Sequence, residues 1–117
     1  MNIYHKVVCE MYSQRFYVSF SKDVAKRKFG MVLGDRTEGC TAIMSDTDIA
    51  IYIEHEDYSL PIPTLNHEVF HAVDFMFNTK GVDFDKTGTN EHWAYAISWL
   101  TEKVLDCAHH ENKHVNK

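Results

Sequence analysis

The hydrophobic pattern of the chain turns from mainly strand-like to helical just after Pro61-Ile62-Pro63, and this switch constrains the fold more than any other feature of the sequence. Before it, apolar residues recur every second position, as they do on a pleated strand. After it they recur every third or fourth, as on one face of a helix. The segments IYHKVVCEMY and RFYVSF flank the turn-prone SQ and predict a hairpin. TAIMS and DIAIYIE flank DTD and predict a second strand pair. In the latter, Ile49, Ile51 and Ile53 alternate with Ala50, Tyr52 and Glu54, giving one buried and one half-polar face. Between the pairs, SKDVAKRKFG predicts a short helix with Ser21 as N-cap and Gly30 as its stop.

Beyond the prolines, Thr64 can cap a helix whose apolar face is Leu65, Val69, Ala72, Val73 and Met76, ending at NTKG. The polar connection VDFDKTGT leads to a final helix from about Asn90 to Ala108, with Thr89 as cap. Its apolar face is Trp93, Ala96, Ile97, Leu100, Val104 and Leu105. Residues 109–117 carry no apolar period and are expected to fray. The expected fold class is therefore α+β: residues 1–117 as one domain, with a small, mainly antiparallel sheet of three or four strands packed on helices.

A chain of 117 residues, 44% of them hydrophobic, supports one modest core and directs attention to a single site. Its 12 basic and 17 acidic residues give a net charge of −5, which argues against nucleic acid or anionic lipid as the main partner. The start MNIYHKVVCE does not read as a secretory signal, and no apolar run is long enough to span a membrane, so a soluble, cytoplasmic protein is expected. Cys9, Cys40 and Cys107 are odd in number and far apart, which predicts reduced thiols rather than a disulfide framework.

Within TLNHEVFHAVDF, residues His67, Glu68 and His71 form the string H-E-x-x-H. With eight His and eight Glu in the chain, composition alone predicts about 0.04 such strings. On a helix the two histidines project from one face a turn apart, close enough for both to reach one zinc ion at about 2.0–2.1 Å. Glu68 follows on the same turn, within reach of a water at that ion. A catalytic zinc needs a third protein donor. GTNEHWAY, at the start of the last helix, offers Glu91, with His92 as its rival. Asp74 could orient a ligand imidazole or be a surface carboxylate. Tyr95 could orient Glu91, donate to a developing oxyanion, or pack in the core.

HEVFH together with NEHWAY resembles the zincin metallopeptidases, in particular the gluzincin branch, where the third ligand is a Glu of an N-E-x-x pattern on a following helix. The chain also resembles small phage- and prophage-encoded zincins, in which a short sheet precedes two such helices. The resemblance implies a minimal zincin-like fold, zinc held by His67, His71 and Glu91, and a peptide or protein substrate. It further implies that Glu68 acts as general base on a zinc-activated water and that the strand DIAIYIE binds the substrate backbone. Where the gluzincin pattern has an Asp four residues after the third ligand, this chain has Tyr95. The alternative expectation is a zinc-binding structural or interaction protein, of phage origin, that keeps the metal and cleaves nothing.

Overall fold

Strand-forming residues on both sides of short turns, and two amphipathic helices behind them, assemble into a layered α+β structure. The computed structural model describes residues 3–82 and 90–115. Strands β1 (His5–Cys9) and β2 (Gln14–Ser19) pair antiparallel across a single 3-10 turn, closed by Ser13 in the left-handed region. Helix α1 (Lys22–Phe29) begins where the Ser21 hydroxyl accepts from the Val24 N–H and stops at Gly30, whose φ is 66°. Strands β3 (Gly39–Ile43) and β4 (Asp48–Ile53) form the second antiparallel pair.

Among the described residues these strands make one sheet in the order β1-β2-β4-β3, and β2 runs parallel to β4. The sheet is therefore mixed. Arg15 and Asp48 stand opposite each other in the parallel register and form a salt bridge at 2.6 Å. The Asp48 partnership holds the Arg15 guanidinium above its ordinary pKa.

The two faces of β4 are both covered. Ile49, Ile51 and Ile53 join Phe16, Val18 and the apolar faces of the later helices in the main core. Ala50 and Tyr52 point the other way, into a smaller core with Ala25, Met31 and Leu33. Of the face expected to be half-polar, Ala50 and Tyr52 are buried because α1 and the segment after it pack on that side of the sheet, while Glu54, just past the strand, is exposed.

Helix α2 (Ile62–Thr79) starts two residues earlier than Thr64, with Pro63 inside its first turn. A proline fits there because the first backbone N–H groups of a helix need no intrahelical acceptor. Helix α3 (Glu91–Val115) runs through most of the tail expected to fray. Ala108 and Glu111 are buried on its inner side, which extends the packed stripe beyond the aliphatic residues. Thr89, the expected cap of α3, lies outside the described residues. Trp93 and Phe77 are buried between α2 and α3, and Phe75 and Trp99 pack partly against the same core. No described helix is long and apolar enough to cross a membrane.

Candidate functional site

Helix α2 packs by its apolar stripe on the sheet, and the stripe fixes where its polar residues emerge. His67 and His71 are exposed one turn apart, with their Nε2 atoms 3.1 Å from each other. Two nitrogens bound at about 2.05 Å to one tetrahedral ion stand roughly 3.3 Å apart, so the pair is already spaced as two donors to a single metal. The His71 ring lies beside Phe70 and Phe75, with centroids at 6.3 and 6.0 Å, which limits the directions it can take.

Glu68 lies between the histidines in sequence but turns inward, with 6% of its surface exposed. It packs against β3, the edge strand. The Thr41 hydroxyl donates to Glu68 Oε1 at 2.8 Å, and contacts the Glu68 carbonyl oxygen at 3.2 Å. Gly39 makes this approach possible: a Cβ there would sit 2.9 Å from Glu68 Cγ, Glu68 Oε2 and Thr64 Cγ2. Burial first, and then the charge of Glu68, push the Cys40 thiol up from its ordinary pKa.

An open cleft of about 360 Å³ runs along this junction, lined by Arg36, Glu38, Gly39, Thr64, His67 and Glu68. His67 and Glu68 thus face one space. Gly39, Thr41, Arg36 and Glu38 belong to the site and carry no motif that would single them out in the sequence. A lone glycine at the head of a strand is the one signal that marks a close backbone approach, and it points to Gly39.

The remaining expected site residues lie elsewhere. Glu91 and His92 are exposed in the first turn of α3, which packs along α2: the His92 ring is 5.4 Å from Phe77, and the Trp93 ring is 5.0 Å from Phe77 and 6.2 Å from Phe70. Among the described residues no group of three or more His, Cys, Asp or Glu is arranged to hold a metal ion, so Glu91 is not assembled with the histidine pair. Tyr95 is 71% exposed, neither a core residue nor a neighbour of Glu68. With His92 it borders an apolar groove formed with Cys9, Met11, Tyr12 and Trp99. Asp74 is half-buried.

The strand DIAIYIE is also displaced from its expected role. It is β4, bonded to β2 on one side and β3 on the other, so its backbone has no free edge for a substrate. Among the described residues the free edge beside Glu68 belongs to β3.

The string H-E-x-x-H occurs a second time, as His110-Glu111-Asn112-Lys113-His114 near the end of α3. The residue spacing that picks out His67 picks out this copy as well; the apolar period of the helix does not reach it. Glu111 is 7% exposed and its Oε1 lies 3.0 Å from His5 Nε2 of β1. Burial first, and then the charge and hydrogen bond of Glu111, hold the Tyr58 phenol above its ordinary pKa. Glu111 is therefore held to His5 as Glu68 is held to Thr41, and each also lines an open cavity. No protein-family model, curated protein or solved structure matches this chain.

Proposed function

We propose that the chain is a zinc-dependent metallopeptidase, an endopeptidase that hydrolyses peptide bonds at the cleft between α2 and β3. The observation that carries this reading is the pairing of two histidine nitrogens, 3.1 Å apart, with a buried Glu68 that faces the same cleft as His67. The donor chemistry suits zinc, for which imidazole is a common ligand. Bound there, the ion would supply Lewis acidity, polarising the scissile carbonyl and acidifying a water.

Glu68 takes a proton from the attacking water, a C–O bond forms as the C–N bond breaks, and Glu68 returns the proton to the leaving amine. The Thr41 hydroxyl fixes the carboxylate against β3 while the other oxygen remains for proton transfer. The substrate backbone lies along the free edge of β3, where an extended peptide can add a strand. Glu91 is the proposed third donor and must come toward His71 for the ligand set to close.

A second reading is a zinc-binding structural or interaction protein, favoured by the absence of an assembled third donor among the described residues. Glu68→Gln separates the two. A peptidase loses turnover by two or more orders of magnitude in this variant, on the order expected for removing a general base, while its zinc content is unchanged. If the wild type binds zinc through His67 and cleaves no member of a peptide library, the non-catalytic reading stands.

A further inference from the structure

We propose a second metal site, formed by His110 and His114 of α3 with His5 of β1 as third donor, which takes a divalent transition-metal ion and clamps the two ends of the fold together. The histidine pair of α3 repeats the geometry of the pair on α2: ring centroids are 4.3 Å apart at 80°, against 4.6 Å at 80° for His67 and His71. The His5 ring stands 6.3 Å from His110. Two imidazoles on one tetrahedral ion have centroids on the order of 5 Å apart, so 4.3 and 6.3 Å fall on either side of the ligating distance. The His5–His110 separation must shorten by roughly an ångström for the two rings to share an ion.

The surroundings are built for this. His5, His110, Glu111 and His114 line a cavity of about 490 Å³ together with Ile3 and Tyr4. Glu111 engages His5 at Nε2, so Nδ1 is the nitrogen left to bind an ion. A carboxylate on the far nitrogen of a histidine is the common device for fixing the tautomer and orientation of a metal ligand and for raising its basicity. Here the Glu of the H-E-x-x-H string plays that part.

This assigns the two copies of the string different roles. Glu68 is free to move a proton; Glu111 is held by His5 and Tyr58, so the site on α3 holds an ion without catalysing hydrolysis. Its ligands come from distant parts of the chain: His5 and His114 are 109 positions apart. Among the described residues the three rings stand short of a closed metal-holding group, and the approach of His5 is the change the ion would bring.

The test is a cobalt(II) titration of untagged protein carrying His67→Ala and His71→Ala, followed by visible d–d absorption and by calorimetry. That background removes the site on α2, so the result does not depend on the proposed peptidase activity. One equivalent of cobalt is expected, with a rise in the thermal midpoint. Adding His114→Ala, an exposed position, should abolish the band, and adding His109→Ala should leave it unchanged. His5→Ala, checked for folding by circular dichroism, should weaken binding by at least about ten-fold. No cobalt bound in the double-variant background, or a titration unaffected by His114→Ala or by His5→Ala, overturns the proposal.

Discussion

Glu68 and Glu111 each follow a histidine on a helix and are nearly equally buried, yet their neighbours give them different chemistry. Glu68 receives one hydroxyl hydrogen bond from Thr41 and faces a cleft. Glu111 is held by His5 and Tyr58. The string alone does not distinguish them, because the side chains that do are far away in sequence. Gly39 is the residue on which the Glu68 environment rests. Gly39→Ala would force a methyl group against Glu68 and Thr64, and should cost about 1–3 kcal/mol of stability as an overpacked contact. Under the proposed function, displacing the Glu68 carboxylate by an ångström should lower peptide turnover by about a hundred-fold. Urea unfolding and steady-state kinetics check the two effects; full activity in this variant would show that Glu68 need not lie against β3. Gly39 lies ahead of the expected strand TAIMS and was not singled out by the sequence, and its partner Glu68 is 29 positions away.

For the elements, local signals mark the hairpin, the second strand pair, the short helix with its Ser21 and Gly30 caps, and the two later helices. They do not mark the order of strands. The parallel contact between β2 and β4 comes from a crossover that buries β4 on both faces and leaves β3 at the edge. The same limit applies to the helices. An amphipathic period says which face of α3 is buried, and says nothing of where along α2 its first turn lands. That turn packs along α2 on Phe77 and Phe70, and among the described residues the packing alone brings no carboxylate into the histidine pair. Under the proposed ligand set, Glu91→Ala should weaken zinc binding by at least about ten-fold, measured by competition with a chromogenic chelator. Unchanged affinity would remove Glu91 from the set and leave the two histidines as the protein's own donors on α2.

Across the molecule, burial sets how the fold responds to alkali. Tyr52, in the smaller core, has its phenol pushed from 10.0 up to about 12 by burial and then by the charge of Glu54. Burial, followed by Asp106 and Glu111, raises the Cys107 thiol from 9.0 to about 11, with Lys103 opposing. Both groups are neutral when protonated, so the folded chain keeps these protons to higher pH than the unfolded chain. Their contribution to stability is complete below about pH 9 and is lost as pH rises toward 12. The urea midpoint should accordingly be level from about pH 7 to about 9 and fall beyond it, and Cys107→Ala should remove the earlier part of the decline. A midpoint that stays level to about pH 12 would show that neither group is held protonated by the fold. The α+β class, the elements and the helical spacing of His67 and His71 are written in the chain itself, because periodicity, caps and turns act between residues a few positions apart. Folding in three dimensions was needed to put β3 at the edge of the described sheet, to bring Glu68 onto Thr41 and Glu111 onto His5, and to leave Tyr95 exposed. Those outcomes depend on side chains from distant parts of the chain competing for the same buried space, and no local pattern records who wins.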